Sequence, residues 1–207
     1  MRGMSRARCP RCARPLTHCL CPLIPHLSSH TRVLILQHPD EARHALNTAR
    51  LAALGLANAE LRVGERFPEL ETELAGGESW LLFPGEMAQT VAHLAAVDAG
   101  APAGRLLIVP DGTWRKARRI LHCNPWLAAL PRLTLGEGLV SRYRLRKAPG
   151  PGALSTLEAV VQCLNALEGA GRFDALLRPF EALIDGQIAA MGEETYTRNH
   201  LGAAPAE

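Results

Sequence analysis

Residues 105–114 read RLLIVPDGTW, and the order of residue types within them sets the fold class. Arg105 opens a run of four apolar residues, Leu106 to Val109, that is too short for a core helix. Its branched side chains suit a strand buried on both faces. Pro110 stops the run, Asp111 and Gly112 supply turn residues, and from Thr113 to His122 the pattern becomes a basic helix. The same alternation extends in both directions. TRVLILQ at 31–37 is a second buried strand, stopped by His38-Pro39 and followed by a helix over 41–54 that Gly55 closes. Further strands are expected at 60–63, at 80–83 before Pro84, at 133–135 and at 143–145. Helices are expected at 87–97, ended by Gly100, and at 157–167. A last helix covers 173–191, with Pro179 as a break point. In the 157–167 helix Leu157, Val160, Val161, Leu164 and Leu167 share one face. Strands alternating with helices predict an α/β fold, a mainly parallel sheet with helices on both faces. There is no internal repeat, dinucleotide fingerprint or phosphate loop.

A chain of 207 residues with 47% hydrophobic content has room for one such domain and a small appendage. No apolar run is long enough to span a membrane. The N-terminal Arg2, Arg6 and Arg8 lead into cysteines and prolines rather than a signal-peptide core, so a cytoplasmic location is expected. The net charge of +3 is unevenly spread. Between Arg115 and Lys147 nine basic residues face the single acid Glu137, a local charge of +8 that leaves −5 for the rest. Such segregation suits a polyanionic partner, though two solvated basic segments that never meet would give the same count.

Residues 1–26 are rich in Cys, Arg and Pro and carry Cys9, Cys12, Cys19 and Cys21 as C-x2-C-x6-C-x-C. In a chain without an export signal, four thiols within thirteen residues read as a structural zinc knuckle, with His18 as an alternative ligand. The competing reading is a free, redox-sensitive thiol cluster. Cys123 and Cys163 fall in helical context and read as small core residues.

Two segments are placed to carry chemistry. Asp111-Gly112-Thr113-Trp114 follows a buried strand, and open parallel sheets bind ligands beyond the carboxyl ends of their strands. It could equally be an ordinary turn with Trp114 in the core. Ser155 and Glu158 form a capping box at a helix start, whose unpaired N–H groups also suit an anion. Before it, Arg142, Arg144, Arg146 and Lys147 flank Tyr143. That arrangement fits RNA backbone and base stacking, or a charged edge strand.

Taken in order, the Cys9/Cys12/Cys19/Cys21 cluster, His38-Pro39-x-Glu41 through Asn47-Thr48, Asp111-Gly112-Thr113-Trp114, and Tyr143-Arg144-Leu145-Arg146-Lys147 through Ser155-Thr156-Leu157-Glu158 resemble the DTW-domain family of tRNA-uridine aminocarboxypropyltransferases. Gly112 occupies the variable position of the D-x-T-W signature.

The resemblance implies a SPOUT-like fold with a knotted cofactor site in a DTW catalytic domain over 27–201. Composition marks off the zinc-binding knuckle at 1–26 before it, and a tail at 202–207 small and polar enough to be disordered. The resemblance also implies S-adenosyl-L-methionine as donor, tRNA as partner and structural zinc, with no membrane and no obligate protein partner. Uridine N3 would attack the γ-carbon of the methionine chain and release methylthioadenosine. Asp111, Thr113 and Trp114 would be catalytic, with Asp111 as candidate base and Trp114 facing the sulfonium. Phe83, Pro84, Pro110, Ser155, Thr156 and Glu158 would line the cofactor site with Trp114. Arg115, Lys116, Arg142, Arg144, Arg146 and Lys147 would hold RNA phosphates. Two rivals stay open: a SPOUT-type RNA methyltransferase using the same donor, and a non-enzymatic zinc-containing RNA-binding module.

Overall fold

A computed structural model of the chain describes residues 7–97, 104–145 and 153–201. Its centre is a six-stranded, all-parallel sheet with the order β2-β1-β5-β3-β6-β4. The strands are β1 (Arg32–Gln37), β2 (Ala59–Val63), β3 (Ser79–Leu82), β4 (Gln89–Thr90), β5 (Leu106–Asp111) and β6 (Arg132–Thr134).

The pleat of the central strands sorts the core into two layers, because successive side chains point to opposite faces. On one face Val33, Ile35, Leu107 and Val109 meet α1 (Ala49–Gly55), α3 (Val91–Val97), α6 (Thr156–Glu168) and α7 (Leu177–Met191). On the other, Leu34, Leu36, Leu106 and Ile108 meet α2 (Pro68–Glu73), α4 (Trp114–Cys123) and α5 (Pro125–Ala128). Helices therefore cover both faces, as the sequence pattern required. Among the described residues no helix is long and apolar enough to cross a membrane.

Several elements differ from the sequence reading. The expected 41–54 helix is shorter, with a 3-10 turn at Pro39–Glu41 and α1 starting at Ala49. Asn47 explains this: its Nδ2 donates to the carbonyls of Glu41 and Ala42, so a side chain takes acceptors that helical N–H groups would otherwise use. The first residues of the expected 87–97 helix instead form β4, paired with β6. Residues 143–145 form no strand and pass through a turn. The short helices α2 and α5 were not expected, although each begins with a proline, which suits a first helical position. Pro179 does not break α7, because it sits in the first turn, where its missing N–H has no intrahelical partner to lose. Gly100, Arg146, Lys147 and the tail from Gly202 lie outside the described residues.

Pro110 does not stop β5, which runs on to Asp111. The Leu106 N–H bonds to Glu78 on the β3 side and the His38 N–H reaches the Asp111 carbonyl on the β1 side. Alternation then points Pro110 toward β3, whose ladder with β5 has already ended at Ile108. A missing donor there removes no ladder bond.

From β1 the chain turns to one edge, β2, while from β5 it proceeds through α4 and α5 to β6 on the other side. The adjacent carboxyl ends of β1 and β5 are thus a topological switch point, the usual ligand crevice of such sheets.

Candidate active site

The last residues of these two strands, Gln37 and Asp111, are in-register partners. Both are buried, Gln37 completely and Asp111 to 7% exposure. Gln37 Nε2 donates to Asp111 Oδ2 at 2.7 Å, and the Thr156 hydroxyl donates to Asp111 Oδ1. Gln37 is fixed from behind by Asn47: Gln37 Nε2 donates to Asn47 Oδ1 at 3.1 Å and Asn47 Nδ2 returns a bond to Gln37 Oε1 at 3.2 Å. A cavity of about 450 Å³ opens at this point, lined among others by Gln37, Asn47, Asp111, Lys116, Tyr143 and Thr156. Asp111 is thus a carboxylate held at the wall of a cavity, at the turn that leads from β5 to α4.

Gly112 has φ +144, and a Cβ there would stand 3.0 Å from the Lys116 Cβ. In this chain the turn between β5 and α4 therefore needs a glycine. Thr113 lines the cavity and also caps α4, its Oγ1 accepting from the Lys116 N–H. Trp114 is 44% exposed and packs edge-to-face on Phe83 with ring centroids 5.5 Å apart. Phe83, Pro84, Pro110 and Trp114 do not line the Asp111 cavity.

Ser155 and Thr156 line the cavity at the start of α6, and the capping box is present. The Glu158 carboxylate is buried and accepts from the Ser155 N–H and hydroxyl, from the Ser141 hydroxyl and from the Arg142 N–H. It does not reach the cavity but clamps the segment that presents Tyr143 to it. Tyr143 also packs edge-to-face on Phe180 of α7, with centroids 5.5 Å apart.

Three of the basic residues expected at RNA, Lys116, Arg142 and Arg144, have acidic partners within the chain. Lys116 Nζ bonds Glu41 Oε1 at 2.8 Å, and this carboxylate raises the lysine's pKa. Arg142 pairs with Glu181 at 2.6 Å, and Arg144 pairs with Asp185 one turn further along α7. These last two pairs are exposed, so opening them costs little. Arg115 is exposed.

The knuckle brings four sulfurs together, all within 4.8 Å of one another. Cys9 and Cys21 Sγ lie 3.6 Å apart and Cys12 and Cys19 Sγ 3.8 Å apart. Thiolates about 2.3 Å from a tetrahedral zinc ion would have sulfur–sulfur edges of about 3.8 Å, so the set fits that metal. A disulfide would need sulfurs about 2.05 Å apart. The Cys9 N–H donates to the Arg14 carbonyl and the Ala13 N–H to the Cys9 carbonyl, closing a tight turn with Ala13 at φ +58. Backbone N–H groups of Cys12 and Arg11 lower the Cys9 pKa to about 6, whereas burial pushes Cys21 up to about 12. His18 bonds Thr17 and is not among the four clustered ligands. Cys163 is fully buried, and burial pushes its thiol up to about 12, as for an inert core residue. Cys123 is only partly buried.

Gln37 and Asn47 are the residues to which the sequence reading gave no role. The available signal was a polar residue ending an otherwise apolar buried strand, RVLILQ.

The DTW domain model matches residues 6–188. A Drosophila melanogaster protein named tRNA-uridine aminocarboxypropyltransferase 2 is 34% identical over 194 residues, covering 88% of this chain and 76% of its own length. The Macaca fascicularis protein of the same name is 32% identical over 95% of this chain and 68% of its own. An Arabidopsis thaliana protein named tRNA-uridine aminocarboxypropyltransferase A is 30% identical over 80% of this chain and 74% of its own. No solved structure matches the chain. With the domain model running from the knuckle into α7, and with animal and plant relatives aligned over most of its length, this protein belongs to the DTW-domain family.

Proposed function

We propose that this protein is a tRNA-uridine aminocarboxypropyltransferase, an enzyme that moves the 3-amino-3-carboxypropyl group of S-adenosyl-L-methionine to N3 of a tRNA uridine in the cytoplasm. The observation that carries this reading is the buried Asp111 carboxylate, held by Gln37 and Thr156 at the wall of a cavity at the sheet's switch point. Relatives aligned over most of the chain bear the name of that activity.

In the reaction, N3 bonds to the γ-carbon of the donor chain as the γ-carbon–sulfur bond breaks. The electron pair goes to sulfur, leaving neutral methylthioadenosine, and the N3 proton is released. Asp111 orients the uracil N3–H and takes that proton. Ser155 and Thr156 place the N-terminus of α6 beside the donor's carboxylate. Thr113 holds the turn that presents Asp111, and the half-exposed Trp114, with Phe83, Pro84 and Pro110 outside the cavity lining, would cover the sulfonium side by closing over the bound donor. Glu158 fixes the loop that frames the donor. Holding two reactants in line can supply about 7–11 kcal/mol in favourable cases. A SPOUT-like knotted cofactor loop remains part of this reading, as do the division into a knuckle at 1–26 and a catalytic domain at 27–201. Arg115, Lys116, Arg146 and Lys147 serve the tRNA backbone, together with Arg142 and Arg144 once the exposed ion pairs of these two open. Cys9, Cys12, Cys19 and Cys21 hold a structural zinc ion, which ties the N-terminus into the core beside Leu20 and Ile24.

The test is one incubation of purified protein, S-adenosyl-L-methionine and unmodified tRNA, followed by mass spectrometry of nucleosides and by-products. Aminocarboxypropyluridine with methylthioadenosine is the expected result. A methylated nucleoside with S-adenosylhomocysteine would make the protein a methyltransferase. Binding of tRNA with no binding of the donor would leave an RNA-binding module.

A further inference from the structure

A second cavity, of about 330 Å³, lies between the knuckle, the 42–50 segment and α7. Arg8, Arg14, Arg43 and Arg50 line it with His18 and His44, and its lining contains no aspartate or glutamate. Among the described residues none of these four arginines forms a salt bridge, unlike Lys116, Arg142 and Arg144. Arg8 and Arg14 bond only backbone carbonyls, those of Ala13 at 3.3 Å and Asn47 at 3.1 Å. The Nε of Arg50 is buried without a hydrogen-bond partner. Cys12 and Cys19 of the knuckle also line the cavity, and their thiolate charge offsets part of the four arginines. The remaining cationic excess favours an anion, and guanidinium groups match the spread oxygens of a phosphate.

His44 and Asn47 line both this cavity and the one around Asp111. An occupant of the first is therefore a single residue wall away from the second. We propose that the arginine-lined cavity binds a phosphate group, and that its occupant is a backbone phosphate of the tRNA beside the nucleotide presented to Asp111. This rests on the tRNA reading above. A polynucleotide held at Asp111 carries phosphates on either side of the presented nucleotide and so reaches the neighbouring cavity, whereas a free inorganic anion would fill that cavity alone.

The experiment compares the wild-type chain with Arg8→Gln/Arg43→Gln, which changes two exposed residues, and with Arg50→Gln. Binding to an unmodified tRNA transcript is measured across a salt series, with S-adenosyl-L-methionine binding measured by calorimetry and folding by thermal melting. The double variant is expected to bind tRNA about tenfold more weakly, to lose about one to two from the slope of log affinity against log salt, and to keep its donor affinity. Unchanged tRNA affinity and slope in both variants would overturn the proposal. Inorganic phosphate separates the sources: if the variants lose stabilisation by phosphate but keep wild-type tRNA binding, the cavity takes a free anion and the RNA assignment fails. A wild-type protein that binds tRNA in this salt-dependent manner yet forms no aminocarboxypropyluridine would refute the proposed reaction while leaving this site standing.

Discussion

The Gln37 side chain at the end of β1 donates to the carboxylate of Asp111, its in-register partner at the end of the neighbouring β5, at 2.7 Å. Two parallel strands thus deliver a donor and a carboxylate to the same point because their register fixes them side by side. Thr156, arriving from α6, holds the other oxygen. Behind Gln37, Asn47 joins this pair to the knuckle, since its carbonyl accepts from Arg14. The carboxylate is therefore held by β1 and α6, elements distant in sequence, with Asn47 bracing Gln37 from behind.

If Asp111 receives the N3 proton, Asp111→Asn should lower methylthioadenosine formation by about 100-fold or more while leaving tRNA affinity unchanged. Thr156→Val, which removes the hydroxyl donor but keeps the carboxylate, should cost about tenfold, or about 1.4 kcal/mol in the barrier. Single-turnover assays with saturating tRNA would read both. Full turnover by Asp111→Asn would remove Asp111 from the reaction.

Gly112→Ala adds a Cβ at a residue with φ +144, 3.0 Å from the Lys116 Cβ. The backbone must shift where the turn carries Asp111 to α4. A loss of about 1–3 kcal/mol in stability is expected, with a fall in activity larger than the fall in stability alone would produce. Urea unfolding beside a kinetic assay would separate the two. A variant with wild-type stability would show that the turn does not require glycine.

The parallel sheet and its two covered faces could be read from sequence because 31–37 and 105–109 are short apolar runs rich in branched residues, each followed within two residues by proline, a local signal. Asp111 was also legible, as an acid just past such a run. Gln37 and Asn47 were not, since their roles depend on which strands become neighbours and on amides meeting across ten residues of loop. The irregular path at 143–145 was missed for a related reason. Alternating Tyr, Arg and Leu suggest a strand, but Glu181 and Asp185 of α7 and the buried Glu158 draw that segment away from any ladder. Glu158 was read as a capping residue from its spacing, and its grip on Ser141 and Arg142 came only with tertiary structure.

Acid should unlock the N-terminal end of β5. Glu78 accepts from Trp80 Nε1 and from Arg105 Nε, which is almost fully buried. The Trp80 bond, followed by Arg105, holds its pKa below the ordinary 4.5. A depressed carboxylate contributes stability that is complete above its unfolded value and is lost as pH falls through its folded value. Glu78→Gln should therefore melt at a lower temperature than wild type at pH 7, and the gap should close as pH drops below 4.5. A gap that stays constant into acid would show that the charge of Glu78 is not what holds Arg105.

Metal removal should affect both the fold and the reaction. Cys9 and Cys12 pack in the same core layer as α1, α6 and α7, and Arg14 runs from the knuckle to Asn47. Chelation, or Cys12→Ser, should lower the melting temperature and also slow methylthioadenosine formation. Thiols must lose their protons to bind zinc. With Cys21 pushed up to about 12, metal uptake near neutral pH must release at least that proton, so zinc affinity should rise with pH. Competition with a chelator at pH 6 and pH 8 would measure this directly. A protein that carries no zinc as purified, or one whose melting and turnover ignore chelation, would mean that the four thiols hold the N-terminus by packing alone.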